Sequence, residues 1–258
     1  MPKLQIIGCS SGMPEASIAN SSYLLHHKNK LYLFDCGEGT SSAMLRLKVN
    51  YQKIGQVFIS HAHPDHVIGI PGFIQMNHLS KRTMPLDIYL PGELVKPLEK
   101  ILYATYLIPE NLTFDWTLFS MKPNPVFRDN DDISVNIFPN EHLYSYEESI
   151  KANNLKNKMN SYCFSVATGK TKMVYSGDLA SADDLSKIIE NTDLLLTEGM
   201  HIDLDDIFKA AGNSGVKTVV LTHLPVAWTD KRGRIQDKAV KYGVDDLRFA
   251  EEGETYNY

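Results

Sequence analysis

Three histidines and one aspartate lie within six residues in the segment Ser60-His61-Ala62-His63-Pro64-Asp65-His66. The segment follows the apolar run Val57-Phe58-Ile59, which predicts a buried strand ending where the histidines begin. Imidazole nitrogens and carboxylate oxygens suit zinc and similar divalent ions. A histidine-rich surface turn is the alternative, but four metal-type residues at fixed offsets favour a two-metal hydrolytic site. Such a site can make hydroxide at neutral pH.

Further ligands must come from elsewhere, because one turn cannot saturate two metal ions. His142, Asp178 and His223 each come at or shortly after the end of a predicted strand. The carboxyl ends of strands are the usual place for a ligand site in an α/β sheet. Each residue alone could be a hydrogen-bonded loop residue, and it is their combination with the first turn that favours a metal role.

Short apolar strands alternate with helical patterns along the chain, which predicts an α/β layered fold. The predicted strands cover 4–8, 23–27, 31–35, 57–60, 86–90, 133–138, 162–168, 172–176, 194–197 and 216–222, with a last strand near Leu247. The predicted helices cover 38–48, 69–79, 92–106, 182–190, 205–211 and 230–242. No linker divides the chain, so a single domain over 1–258 is expected.

The composition is that of an ordinary globular protein of 258 residues, with 43% hydrophobic and 22% charged residues. No apolar run approaches the length of a membrane span, and the N-terminus lacks the pattern of a signal peptide, so a cytoplasmic protein is expected. Three cysteines argue against a disulfide framework. A net charge of −5 does not favour a general nucleic-acid binder, although a local basic patch would be enough.

The ordered motifs resemble those of the metallo-β-lactamase fold over nearly the whole chain. They are the segment 61–66, His142, Ser176-Gly177-Asp178 and Leu221-Thr222-His223. Within that superfamily the chain is most similar to the ribonuclease Z branch. This closer similarity rests on Asp35-Cys36-Gly37-Glu38-Gly39-Thr40, on 66–72, on Tyr175-Ser176-Gly177-Asp178 and on the segment 8–24. The resemblance implies a four-layer αββα sandwich.

The resemblance also implies a role for each ligand. The implied ligands are His61, His63 and His142 for one metal, Asp65, His66 and His223 for the other, and Asp178 as the bridge. Asp65 is further expected to orient the attacking water or to take its proton. The two divalent ions are expected to be Zn²⁺, with Mn²⁺ or Fe²⁺ as alternatives.

A leaving alkoxide needs a proton, and ribonuclease Z enzymes carry an acidic residue and a further histidine for this purpose. In that family the histidine precedes the last metal histidine by a fixed interval, and here the interval from His201 to His223 is 22 residues, which fits. The resemblance therefore implies His201 as general acid and Glu198 as the residue that orients it. The alternative is a helix-start pair, since Asp203 and Asp205 follow as possible caps.

The chain departs from the tRNA-processing members of the branch in two places. Their protruding arm is absent at its expected place, where only the turn 168–172 joins two strands. A polar insertion at 143–160 is expected to cover the mouth of the site as a loop or short helix, or else to be a disordered surface segment. Without the arm, recognition of tRNA is in doubt, whereas the chemistry does not depend on it.

The expected function is that of a binuclear metal-dependent hydrolase, foremost a phosphodiesterase acting on an RNA 3′ end or on a small or cyclic phosphodiester. A thioesterase, lactonase or sulfatase on the same scaffold is the alternative, because two metals polarise a carbonyl as readily as a phosphoryl oxygen. A non-catalytic metal-binding protein is a third reading. The resemblance suggests a homodimer, and no membrane partner is expected.

Overall fold

The computed structural model describes residues 1–122, 126–130 and 132–258. Its contacts divide the chain into two compact units, of which the first comprises 1–121 with 251–257 and the second 122–250 with residue 258. Among the described residues, each unit is built on one seven-stranded sheet. The expectation of a single domain over 1–258 stays a prediction.

The strands and helices follow the alternation expected from the sequence. The strands are β1 (Lys3–Gly8), β2 (Ser22–His27), β3 (Lys30–Phe34), β4 (Ile54–Phe58), β5 (Leu86–Leu90), β6 (Trp116–Ser120), β7 (Phe127–Asp129), β8 (Ile133–Asn140), β9 (Ser161–Thr168), β10 (Thr171–Tyr175), β11 (Leu194–Glu198), β12 (Thr218–Thr222), β13 (Leu247–Phe249) and β14 (Thr255–Asn257). The α-helices are α1 (Thr40–Arg46), α2 (Pro64–Val67), α3 (Ile70–Leu79), α4 (Val95–Ala104), α5 (Glu147–Ala152), α6 (Leu204–Asn213) and α7 (Arg232–Lys241). None of these helices is long and apolar enough to cross a bilayer.

The sheet of the first unit has an antiparallel half and a parallel half. Its order is β14-β1-β2-β3-β4-β5-β6, antiparallel from β14 to β3 and parallel from β3 to β6. In β5, Leu86, Ile88 and Leu90 are buried while the residues between them are only half-buried, as the two-residue period of a strand requires. Phe73 and Ile74 of α3 join these side chains in one apolar core.

The sheet of the second unit is arranged in the same way. Its order is β13-β12-β11-β10-β9-β8-β7, antiparallel from β7 to β10 and parallel from β10 to β13. Because β8 and β10 are both antiparallel to β9, they run in the same direction. The carboxyl ends of β8, β10, β11 and β12 therefore meet at one edge of this sheet, where the sequence places the ligand candidates of this unit.

The structure corrects several predicted elements. The helix expected over 182–190 is only a 3₁₀ helix at Ala182–Leu185, held by a capping box between Ser181 and Asp184. The buried residues Leu185, Ile188 and Ile189 have the spacing of a helix, but the chain after Leu185 continues in turns. The helix expected over 230–242 begins as a 3₁₀ helix at Val226–Lys231 and becomes α-helical only in α7. The strands β6, β7 and β14 and the short helix α2 were not predicted.

Candidate metal centre

In the first unit, the predicted metal turn lies just beyond the carboxyl end of β4 and leads into α2. The backbone at His63 is still extended, and Pro64 occupies the first turn of the helix. Proline favours this position, because its fixed φ suits a helix and its missing N–H would have no intrahelical partner. The helix carries Asp65 and His66 within one turn, so both residues follow shortly after the extended His63.

The four predicted ligands of the first unit lie together. The ring centroid of His61 is 4.1 Å from that of His66 and 4.7 Å from that of His63. The Nε2 atom of His66 lies 3.4 Å from Oδ2 of Asp65. The imidazoles of His61 and His66 are fully buried, so these two residues do not belong to a surface turn.

Asp35 is a functional candidate that the sequence reasoning missed. This fully buried carboxylate follows β3 directly, with a left-handed backbone at φ 55°. Its Oδ2 lies 2.7 Å from Nδ1 of His66, and it also accepts from the Ser60 hydroxyl at 2.8 Å. Oδ1 accepts from the Ser60 backbone N–H at 2.7 Å, and the Ser60 hydroxyl lies 3.0 Å from Nδ1 of His61. The missed signal was a charged residue directly after a buried strand.

The Asp35 contact fixes which nitrogen of His66 faces the site. A carboxylate at Nδ1 keeps a proton on that atom and leaves Nε2 as the nitrogen that can bind a cation. Such carboxylate–histidine pairs are typical of zinc ligands, and they both orient the ring and raise its basicity. The left-handed backbone of a non-glycine residue at this position agrees with the tendency of strained residues to occur at functional sites.

Two glycines allow the loops around this turn to approach one another. A Cβ at Gly37 would lie 2.1 Å from the backbone oxygen of Asp65, and one at Gly69 would lie 2.2 Å from the backbone oxygen of Gly37. Backbone hydrogen bonds join Cys36 to His66 at 2.8 Å and Gly69 to Cys36 at 2.9 Å. The two glycine-containing motifs that carry the resemblance to ribonuclease Z therefore hold the metal turn in place.

In the second unit, Asp178 lies at the centre of three imidazoles. Its Oδ2 is 3.7 Å from Nε2 of His142, 3.8 Å from Nδ1 of His201 and 3.8 Å from Nε2 of His223. Asp178, His142 and His223 are all buried or nearly so, whereas the His201 side chain is 35% exposed. Three residues, Asp178, His201 and His223, each offer a ligand atom within 4.8 Å of the others.

Local backbone geometry aims these side chains at one another. His223 follows β12 with a left-handed backbone at φ 54°, and Gly177 precedes Asp178 with φ 59°. Asn140, at the end of β8, donates its amide to the Asp178 carbonyl at 3.0 Å and accepts from the His142 N–H at 3.2 Å. Asn140 therefore connects two loops that carry ligand candidates, a role the sequence reasoning did not assign.

Burial keeps His142 in the form that can bind a metal. Desolvation lowers the pKa of His142, and the neighbouring Asp178 carboxylate offsets only part of this effect. A neutral imidazole has the lone pair that a cation needs.

Glu198 and His201, to which the resemblance assigns an acid role, lie within hydrogen-bonding distance of each other. Glu198 ends β11 and is 1% exposed, and its Oε1 lies 3.2 Å from Nδ1 of His201. The carboxylate also accepts backbone N–H bonds from His201 at 2.9 Å and from Leu179 at 3.2 Å. Helix α6 begins only at Leu204, with Asp203 as its N-cap, so the pair is separate from the helix start. Glu198 therefore holds His201 rather than capping a helix.

The donor atoms in both units fit divalent metal ions. Each unit gathers imidazole nitrogens and carboxylate oxygens, which are the ligands of zinc and related ions, and each orients at least one of them through an outer carboxylate or amide. Buried carboxylates and imidazoles at such short separations are costly unless they are paired or bind a cation. The residues therefore support divalent metal binding.

The insertion at 143–160 contains ordered structure. A 3₁₀ helix at His142–Tyr146 leads into α5, and the chain then continues without regular structure to β9. Leu143 is buried, while Tyr144, Tyr146 and Leu155 are about half exposed. This agrees with the expected short helix. The role of the segment at the mouth of the site stays a prediction.

Comparisons with solved structures define the fold class. The chain aligns over 99% of its length with the metallo-β-lactamase fold protein YhfI from Bacillus subtilis, which is covered to 98%, with a TM-score of 0.78 at 21% identity. The short form of human tRNase Z aligns with the same coverage and TM-score at 20% identity. This is a metallo-β-lactamase fold, and the predicted α/β fold of that type is confirmed.

Comparisons with sequences narrow this class to a family. A ribonuclease Z of Methanothermobacter thermautotrophicus is 28% identical over 270 positions, covering 87% of both chains, and confirms the similarity to the ribonuclease Z branch. The model of the family described as Anti-Pycsar protein Apyc1 matches residues 2–238. The chain belongs to that family.

Proposed function

We propose that this chain is a binuclear metal-dependent phosphodiesterase. The observation that carries the proposal is the combination of two groups of buried nitrogen and oxygen donors with the oriented Glu198–His201 pair. A purely structural metal site is closed and needs no additional acid pair. Similarity to ribonuclease Z over most of the chain supports hydrolysis of a phosphodiester rather than of a carbonyl ester.

The metal ligands are proposed to come from both units. The proposed ligands are His61, His63 and His142 for one ion, Asp65, His66 and His223 for the second, and Asp178 as the shared ligand. This assignment rests on the resemblance to the metallo-β-lactamase fold and on the donor chemistry of each group. Zinc is the proposed metal, because sites rich in imidazole with few carboxylates suit it, and manganese and iron are alternatives.

The bound ions would supply polarisation of a phosphoryl oxygen and a water of lowered pKa. The chain supplies orientation and proton transfer around that chemistry. Asp65, on the first turn of α2, would orient the attacking water or accept its proton. Asp35 would hold the ring of His66 in place through its 2.7 Å contact to Nδ1.

His201 is proposed to protonate the leaving oxygen. Glu198 holds Nδ1 of His201 and stabilises its charged form, while the ring remains partly exposed and accessible to substrate. The buried carboxylate of Glu198 is fixed by backbone N–H donors, so its orientation does not depend on the substrate. The pair therefore resembles the carboxylate–imidazole arrangement that positions a general acid or base.

The dependence on the leaving group tests this function. The metal-loaded protein should hydrolyse bis(p-nitrophenyl) phosphate, lose activity on chelation and regain it with zinc or manganese. The dinucleotide UpU has an alkoxide leaving group that needs a proton, whereas p-nitrophenolate does not. His201→Ala should therefore lower kcat about 100-fold for UpU and only slightly for the nitrophenyl ester.

A matched variant and an alternative substrate class complete the test. His26→Gln replaces a histidine of β2 that contacts Gln5, and it should leave both rates unchanged. No turnover of either phosphodiester after metal reconstitution would contradict the proposal. Faster hydrolysis of lactones, acyl-glutathione or sulfate esters than of phosphodiesters would favour the alternative hydrolase.

The finer predictions belong to this proposal as well. RNA 3′ ends and small or cyclic phosphodiesters are the proposed substrate classes. Binding of RNA is proposed not to use the protruding arm of the tRNA-processing enzymes. A cytoplasmic location and a homodimer stay predictions. Sedimentation of the purified protein at several concentrations would test the dimer.

A further inference from the structure

A cavity in the second unit lies beside the loop that carries His201, the residue proposed as general acid. It has a volume of about 440 Å³ and is lined in part by Met200 and Ile202, the two neighbours of His201 in the chain. The far wall comes from α7 and the 3₁₀ helix before it, which contribute Trp228, Lys231 and Arg234. The cavity is therefore built from the loop after β11 and from the chain that follows the last metal histidine.

The walls combine an aromatic ring with positive charge. Trp228 lies in the wall, and the Lys231 ammonium is 5.6 Å from the centre of its ring. Lys238, also in the wall, is held by Asp205 at 3.0 Å and by the lining residue Asp203 at 4.0 Å, so its charge is already compensated. Within the described parts of the chain, neither Lys231 nor Arg234 pairs with a carboxylate, and both are exposed. The cavity therefore carries uncompensated positive charge beside an apolar surface.

This combination fits one chemical class of ligand. An aromatic base stacks on tryptophan irrespective of its sequence, and a neighbouring phosphate is attracted by lysine and arginine. A purely apolar ligand would leave the two cations unused, and a simple anion would leave the ring and the methionine unused. A nucleoside that carries a phosphate uses both.

We infer that this cavity binds a nucleotide portion of the substrate, with its base against Trp228 and its phosphate near Lys231 and Arg234. The inference rests on the proposed function, because the cavity is formed in part by the loop that carries His201. The preferred substrate is then a phosphodiester that carries a nucleoside, rather than a phosphodiester of simple alcohols.

Tryptophan fluorescence tests the cavity without using activity. The chain has two tryptophans, Trp116 in β6 of the first unit and Trp228. In a Trp116→Phe variant, excited at 295 nm, AMP and UMP should quench the remaining emission with saturation. Inorganic phosphate and ribose 5-phosphate should not. In Trp228→Phe the same nucleotides should have no effect, and this variant also corrects the wild-type signal if Trp116→Phe fails to fold.

Charge variants separate the phosphate contact from general electrostatics. Arg234→Ala should weaken the binding of UMP about threefold to tenfold, as expected for the loss of one phosphate contact. Arg248→Ala removes an exposed arginine that pairs with Asp246 elsewhere in the second unit, and it should leave binding unchanged. Equal quenching by inorganic phosphate, or no saturable quenching by either nucleotide, would overturn the inference.

Kinetics then separate the cavity from the metal chemistry. Trp228→Ala should raise KM for UpU about tenfold, the effect expected for loss of one stacked base. The same variant should leave hydrolysis of methyl p-nitrophenyl phosphate, which has no base, within about twofold of wild type. An equal loss on both substrates would overturn the inference. If wild type hydrolyses neither substrate, the proposed function fails while the fluorescence titration still decides the cavity.

Discussion

The two units present ligand candidates in different ways. In the first unit, four of them come from one segment of six residues, of which Asp65 and His66 lie in the short helix α2. In the second unit, His142, Asp178 and His223 come from three loops, and their contact depends on the common direction of β8, β10 and β12. The first arrangement is determined by residues that are close together in the sequence, whereas the second is determined by the arrangement of the strands in the sheet.

The groups that orient the ligands differ as well. The first unit uses a buried carboxylate, Asp35, which contacts the ring of His66 directly. The second uses a neutral amide, Asn140, which contacts His142 and Asp178 through their backbone atoms and also donates to Sγ of Cys163 at 3.5 Å. A carboxylate changes the basicity of the ring that it holds, whereas a backbone contact changes only position. Substitutions in the two units should therefore have different consequences for metal affinity.

The largest effect is expected at Asp178, which contacts three imidazoles. Asp178→Ala should cost at least about 10⁴-fold in kcat/KM, because it removes the negative charge that the proposed shared site needs. It should also remove both metals from the purified protein. His61→Ala, in the first unit, should leave one metal bound and a smaller loss of activity.

Elemental analysis after gel filtration checks the metal count for these variants. Circular dichroism of each variant ensures that a missing metal does not reflect an unfolded chain. If Asp178→Ala and His61→Ala lose the same number of ions, Asp178 is not the shared ligand and the proposed division between the two ions is wrong.

Arg82 is expected to determine the stability of the first unit. It is 2% exposed, and its guanidinium donates to the carbonyls of Met84, Ile54 and Pro85 at 2.6 to 2.8 Å. Burial lowers the pKa of Arg82 to about 10. Arg82→Met should lower the free energy of unfolding by about 3 kcal/mol, because it leaves the buried Ile54 carbonyl and the partly buried carbonyls of Met84 and Pro85 without this donor.

Arg46→Met is the matched control for this substitution. Arg46 belongs to the same unit but is 48% exposed and pairs with Glu252 at 2.7 Å. An exposed pair contributes about 0–1 kcal/mol, so urea unfolding should show only a small change. Equal losses from both arginine variants would show that the carbonyls bound by Arg82 are satisfied in another way.

The orienting residues provide the direct comparison of the units. Asp35→Asn should lower metal affinity about 10- to 100-fold, because an amide holds His66 without raising its basicity. Asn140→Asp keeps a similar shape but removes the amide N–H that reaches the Asp178 carbonyl, and we expect a smaller loss. Competition with a zinc chelator measures both affinities. A larger loss for Asn140→Asp would contradict this order.

The sequence allowed the prediction of elements whose pattern is local. The period of β5 and the turn before α2 could be read directly from residue types. Strand β14 could not, because its three residues pair with β1 at the other end of the chain. The shortened helix at 182–190 shows the reverse error, in which buried apolar residues at helical spacing belong to turns.

The same distinction holds at the candidate site. Each ligand candidate could be identified by its type and its place after a strand. The orienting roles of Asp35 and Asn140 could not, because they depend on contacts with loops that are distant in sequence. A buried carboxylate after a strand is ambiguous until its partner is known. The ligand candidates could therefore be identified from residue types, whereas the groups that position them could be identified only from the fold.

The smallest effect concerns two buried thiols, one in each unit. Cys36 follows Asp35 in the first unit, and Cys163 lies in β9 of the second; both are fully buried. Burial raises the pKa of each thiol from 9.0 to about 12. Only thiolates react readily, so a disulfide reagent at pH 8 should modify partly exposed Cys9 first and the other two only when their units open.

These thiols can therefore report on each unit separately. Since their folded pKa values exceed the unfolded value, they stabilise the native state fully below pH 9 and lose this contribution as the pH rises toward 12. Urea unfolding from pH 8 to pH 10 should show this decline, and Cys36→Ala should reduce it.

In Arg82→Met, Cys36 should be modified faster while the rate at Cys163 stays unchanged, because the lost contacts all lie in the first unit. Peptide mass spectrometry measures the modification rate of each cysteine. An equal increase of both rates would mean that the units open together, and stability could then not be assigned to one unit at a time.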